Sequence, residues 1–306
     1  MGIAASRAAL RDKTSVDFRA LLQLTKPTIS MLVVFTAWPA LFMAADGLPS
    51  IGIFIACSIG ILFASGSAAV LNHLVDSDID ASMDRTSKRP LPSGRATPSQ
   101  CLAFSLTLGI VSFYLLYYFC GSLAAWLSVG ANFFYVVIYT MFLKRRTPQN
   151  IVIGGTAGAV GPLIGWASVT GGLSWEAWIM FAIIFLWTPP HFWALALKYK
   201  DDYARVGVPM LPNVRGESHT RLQILLYSLS LLPFVCSLFV WGEAGEIYAY
   251  LALAATVIFC ILAFRLWWRR SIEFAMPVFF FSLAYIFIIY GALAVDQFFL
   301  KSGFLN

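Results

Sequence analysis

Nine stretches of the chain are apolar for long enough to cross a bilayer, and this repetition constrains the fold more than any other feature. They fall at about 28–45, 51–71, 100–119, 123–142, 151–169, 175–197, 222–241, 247–268 and 275–297. Each is near the ~20 residues that a helix needs to span the hydrocarbon core. Inside lipid every backbone amide and carbonyl must find a partner within the protein, so runs of this length span as α-helices. Composition agrees, because 59% of the 306 residues are hydrophobic and only 12% are charged, about half the charge of a soluble domain. A water-soluble enzyme is excluded, since a core of this size cannot hide so much apolar surface. The sequence predicts an all-α integral membrane protein with one membrane domain over 28–297, an N-terminal segment 1–27 and a tail 298–306.

Charge placement orients the spans. With the N-terminus cytoplasmic, the inside segments are 1–27, 72–99, 143–150, 198–221 and 269–274, and with Arg265 at the inner end of its span they hold every Lys and Arg except Lys301. Asp46, Glu176, Glu243, Glu246 and Asp296 fall outside. This distribution follows the positive-inside rule and fails if one span is added or removed. No small-residue cleavage site follows the first span, which therefore reads as a retained helix. The net charge of +6 belongs to topology rather than to nucleic acid, because the basic residues sit in short clusters between apolar runs. Cys57, Cys101, Cys120, Cys236 and Cys260 lie inside apolar runs without CxxC or Cys/His spacing, so neither a disulfide framework nor a zinc site is expected.

At the inner end of the second span polar residues begin abruptly: Asn72-His73-Leu74-Val75-Asp76-Ser77-Asp78-Ile79-Asp80, continuing through Asp84 and Arg85 to Arg89-Pro90. Asn72, Asp76 and Asp80 recur every four residues, which on a continuing helix puts them on one face over a rise of about 12 Å. One ion cannot take all three. Magnesium binds oxygens at about 2.0–2.1 Å, usually through one or two carboxylates plus water and substrate phosphate. The spacing therefore suits a diphosphate bridged by Mg²⁺. A solvated helix end, balanced by Arg85, Lys88 and Arg89, is the plainer alternative, and Asp78, pointing away from Asp76, is the residue that fits it best.

Two further loops on the same side carry polar residues. Lys144-Arg145-Arg146 precedes Thr147-Pro148-Gln149-Asn150, and its cations fit phosphate oxygens, although topology alone also asks for basic residues there. In the other, Thr188-Pro189-Pro190-His191 sits inside an apolar run ahead of Lys198, Tyr199, Asp202 and Tyr203. A buried His191 can serve as a ligand to porphyrin iron, as a proton handler, or as a hydrogen-bonded structural residue. A transporter is the competing class, but its sign would be charge at mid-membrane or broken helices facing each other. Here the polar motifs gather on one side.

Asn72-xxx-Asp76-x-Asp78-Ile79-Asp80-xx-Met83-x-Arg85-Thr86-xx-Arg89-Pro90 resembles the first motif of the intramembrane prenyltransferase superfamily that includes 4-hydroxybenzoate polyprenyltransferase. Tyr139-Thr140-xx-Leu143-Lys144-Arg145-x-Thr147-Pro148-Gln149-Asn150, Trp187-Thr188-Pro189-Pro190-His191-Phe192-Trp193, Asp202-Tyr203 and Pro209-Met210-Leu211-Pro212 are similar to the protoheme IX farnesyltransferase (heme O synthase) branch. The resemblance runs from Leu24-Thr25-Lys26-Pro27 to the ninth span. It implies nine helices around a central cavity, and a reaction in which farnesyl diphosphate and heme B give heme O. It also implies a place in the bacterial inner membrane with the site facing the cytoplasm. Heme O would go to a downstream heme-modifying or oxidase-assembly protein. Carried over by position, Asn72, Asp76 and Asp80 hold Mg²⁺ and diphosphate, Lys144 and Arg145 take the diphosphate from another side, and Arg85, Arg89 and Asn150 contact substrate. The superfamily's second pair of aspartates falls on Tyr199 and Tyr203, which puts a second full magnesium site in doubt. Asp202 and His191 remain substrate contacts, and the departure favours heme over a quinone-type acceptor.

Overall fold

The computed structural model describes residues 16–301, with side chains through Phe298. Among these residues nine helices are long and apolar enough to cross a membrane. We number them α1 (Pro27–Ala44), α2 (Ile51–Val75), α3 (Pro98–Cys120), α4 (Ser122–Leu143), α5 (Asn150–Thr170), α6 (Trp175–Lys198), α7 (Glu217–Val240), α8 (Glu246–Arg269) and α9 (Ile272–Phe298). The nine expected spans are therefore present. Arg7, Arg11 and Lys13 of the N-terminal segment, most of the tail and the Lys301 side chain lie outside the described residues.

Local sequence sets several helix starts. Pro27 opens α1, where a missing N–H costs nothing. Ser50 accepts from the Ile53 amide at the start of α2. At α3 Thr97 and Gln100 exchange side-chain and backbone hydrogen bonds in a capping box. At the opposite end of the bundle Asp296 accepts from the Gly245 amide and Gln297 donates to the Glu243 carbonyl, tying α9 to the start of α8.

Burial separates centre from rim. Over the most apolar 18-residue stretch of each helix, 67% of α5 and 61% of α6 is buried, against 17% of α3 and 11% of α4, so the former form the middle and the latter face lipid. Close approach at the centre depends on glycine. A Cβ on Gly165 would lie 2.5 Å from the Ala37 carbonyl oxygen of α1, and one on Gly161 would lie 2.9 Å from that of Val33, the small-residue packing expected where lipid gives no hydrophobic drive for association. Helix α4 changes period partway. Its second half, Phe134–Leu143, is a π-helix in which the Lys144 amide reaches the Tyr139 carbonyl at 2.8 Å, five residues back. Single π turns recur at functional sites, and here the widened segment leads directly into Lys144.

Candidate active site

The motif at the end of α2 does not continue as one helix. The helix stops at Val75, Asp76 takes φ −91° and ψ 8° as its C-cap, and a short helix Ser77–Ser82 follows. The break divides the expected single face into two groups. Asp76 turns toward Asn72 and Lys144, whereas Asp80 turns toward His73 and Arg89.

Asn72 is the centre of the first group. Its Nδ2 donates to Asp76 Oδ2 at 2.7 Å and to Thr140 Oγ1 at 3.2 Å, and its Oδ1 accepts from Lys26 Nζ at 2.9 Å. Lys144 donates to Asp76 Oδ2. Asp76 is 2% exposed, and its second oxygen, Oδ1, has no hydrogen-bond donor among the described residues; the Arg145 guanidinium stands 4.0 Å away. Asn150, 1% exposed at the start of α5, donates to the Thr147 carbonyl at 2.7 Å while its Oδ1 is also buried and unpartnered. Unpaired buried oxygens are costly.

In the second group Asp80 accepts from Arg89 through both oxygens, at 2.7 and 2.8 Å, and lies 3.3 Å from His73 Nδ1. Burial alone would raise this carboxyl, but the hydrogen bonds from His73 and Arg89 and the guanidinium charge outweigh it and hold it at about 2. Burial, helped by the facing charges of Arg89 and Lys144, lowers the Lys26 ammonium to about 8. Lys26 reaches this place from a left-handed backbone, φ 49°, a conformation that is strained in a residue other than glycine.

The remaining expected residues lie around these groups. Arg145 forks onto Asp78 at 2.7 and 2.8 Å, so Asp78 has a specific partner although it is exposed. Asp84, 88% exposed, bonds Arg205, which also holds Asp202, so Asp202 belongs to a tie between the two long loops rather than to the Asn72 cluster. Arg85 stands over the Tyr199 ring at 5.4 Å, a second tie between those loops. Between them lies a cleft of about 310 Å³ lined by Asp78, Ser82, Arg145 and Arg205. Tyr203, half-buried, packs against the main apolar core. His191 is deeper, on α6, and bonds Ser282 of α9. Lys26, Thr140 and Ser282 are given no role by the motifs. Lys26 and Thr140 stand inside the stretches that carry the resemblance, and Ser282 is a lone hydroxyl in an apolar run.

Among the described residues no three His, Cys, Asp or Glu side chains form a ready metal cage. The donors still fit magnesium shared with a phosphorylated substrate, which asks for only one or two carboxylates. The unpartnered Asp76 Oδ1 is a buried anionic oxygen of the required kind.

Fold and site together define a polytopic membrane enzyme whose polar groups gather at one end of its helices. Residues 33–287 match the UbiA prenyltransferase family, and the chain belongs to that family. It is 46% identical to the protoheme IX farnesyltransferase of Symbiobacterium thermophilum, over 91% of this chain and 94% of that one. It is 45% identical to the protein of the same name from Methylococcus capsulatus, over 92% and 95%. The resemblance read from the motifs holds. Among solved structures, that of digeranylgeranylglyceryl phosphate synthase superposes with a TM-score of 0.77 at 18% identity, covering 92% of this chain and 98% of that one. A UbiA homolog from Archaeoglobus fulgidus bound to GPP and Mg²⁺ gives 0.65 at 15% identity, over 90% and 99%. These two establish the fold.

Proposed function

We propose that this chain transfers the farnesyl group of farnesyl diphosphate to a vinyl group of protoheme IX, adding water, to give heme O and diphosphate. The observation that carries the donor half is the buried Asp76 carboxylate, one oxygen unpartnered, among Lys26, Arg89, Lys144 and Arg145. The acceptor half is supported by the name shared by relatives at 45% and 46% identity and by the buried His191.

In this reading Asn72, Asp76 and Asp80 hold Mg²⁺ with the diphosphate. When bound, the metal supplies positive charge to the departing oxygens. Lys144, Arg145 and Arg89 bind phosphate oxygens from the protein side, with Arg85 and Asn150 at the edge, and stabilise the charge that grows as the bond from C1 to oxygen breaks. Both electrons of that bond leave with diphosphate. The allylic cation forms away from bulk water, and the vinyl π electrons of the porphyrin make the new carbon–carbon bond. The resulting cation beside the porphyrin takes up water and loses a proton. Tyr199, Asp202 and Tyr203, in place of a second aspartate pair, contact the acceptor side.

Positive charge at this end of the bundle supports a cytoplasmic site in a bacterial plasma membrane, with product passing to a downstream heme-modifying or oxidase-assembly protein. The choice of acceptor is tested by offering labelled farnesyl diphosphate with either heme B or 4-hydroxybenzoate. Label should enter heme alone; transfer to the aromatic acid would place the chain in a quinone-type branch.

A further inference from the structure

His191 is packed between two aromatic rings and bonded to a serine. Its ring is stacked between Trp187, 4.5 Å away at 19°, and Phe279, 4.8 Å away at 23°. The Trp187 indole donates to the Ser282 carbonyl at 2.8 Å, fixing the backbone beside it. His191 Nδ1 lies 2.7 Å from Ser282 Oγ, and Ser282 Oγ lies 2.6 Å from the Phe279 carbonyl oxygen. A hydroxyl has one proton. A carbonyl oxygen can only accept, so Ser282 spends that proton on Phe279 and must accept from His191. Nδ1 therefore carries the ring proton, and in a neutral imidazole the lone pair is then on Nε2. His191 is 8% exposed, and among the described residues none hydrogen-bonds Nε2. It lies seven positions before Lys198 at the end of α6, which puts it about 10 Å below the polar end.

We infer that Ser282 is a positioning residue that fixes His191 as the Nδ1–H tautomer and presents the Nε2 lone pair to the iron of a porphyrin substrate. The arrangement is the outer-shell one in which a metal-binding imidazole donates its other N–H, which sets tautomer and ring direction and raises ligand basicity. The ligand half rests on the heme reading above, whereas the tautomer half stands on the hydrogen bonds alone.

The test uses the full chain in lipid bilayers with ¹⁵N-labelled histidine. The sequence has three histidines, so comparison with His191→Gln assigns the signal. Without heme, Nδ1 should appear protonated and Nε2 unprotonated; the reverse would overturn the inference whether or not any variant folds. Ser282→Ala should then bind ferric heme B roughly 10–100-fold more weakly with farnesyl diphosphate affinity unchanged, and Ser282→Thr should restore it. Wild-type heme affinity in a folded Ser282→Ala would also overturn it. If the wild type binds no heme B yet shows the Nδ1–H tautomer, the heme reading and the ligand half fall together, and the tautomer assignment stands.

Discussion

Asp76 shares its hydrogen bonds unevenly. One oxygen takes Asn72 and Lys144, and the other faces Arg145 at 4.0 Å without a donor. Asp76→Asn keeps the volume and removes the charge, so turnover should fall at least about 100-fold, the usual cost of removing a preorganised electrostatic contact. The folded fraction in membranes should hold, which size-exclusion chromatography and helical circular dichroism check; near wild-type turnover would remove Asp76 from the site. Lys144→Gln should weaken farnesyl diphosphate binding by roughly 10–100-fold, the range of a hydrogen bond to a charged group, measured by equilibrium binding without acceptor. The aspartates and Asn72 were legible in the sequence because polar residues at a four-residue step interrupt an apolar run. The partners of Asn72 were not, because Lys26 stands just before α1 and Thr140 lies in α4, 46 and 68 residues away, and no local pattern encodes such a meeting.

Helices were legible as spans and much less so in their irregularities. Period and length identify α4, but nothing in Phe134–Leu143 announces a π-helix. Its tertiary partner is Gly154 of α5, where a Cβ would come within 2.3 Å of the Tyr139 ring. Gly154→Ala should cost about 1–3 kcal/mol, as overpacking usually does, and should lower activity by displacing the segment that ends in Lys144. Gly158→Ala, on the same helix with nothing within 4 Å of its Cβ, serves as the control and should change the unfolding temperature little. Equal stability of the two variants would detach the π-helix from this contact. Likewise nothing in the sequence announces the break at Asp76, because Asp76 and Asp80 keep a helical spacing. The two carboxylates instead part to different partners, Asp76 to Lys144 and Asp80 to Arg89 and His73.

Over the whole molecule, bilayer thickness makes the sequence easy to read: a span must be apolar for about 20 residues whatever it packs against. Orientation is a separate claim, carried by charge. A cysteine placed at Ser93, in the loop after α2, should react with a membrane-impermeant thiol reagent only in inside-out vesicles. One at Leu48, in the turn before α2, should react only in right-side-out vesicles. The opposite pattern would invert the topology and move the site to the outer face. The reaction itself is decided by mass spectrometry of hemes extracted after incubating the purified protein with heme B, farnesyl diphosphate and Mg²⁺, beside an EDTA control. A heme heavier by one farnesyl group and one hydroxyl, absent with EDTA, is expected; unchanged heme B, with the farnesyl group passed to another acceptor as diphosphate is released, would contradict the assignment.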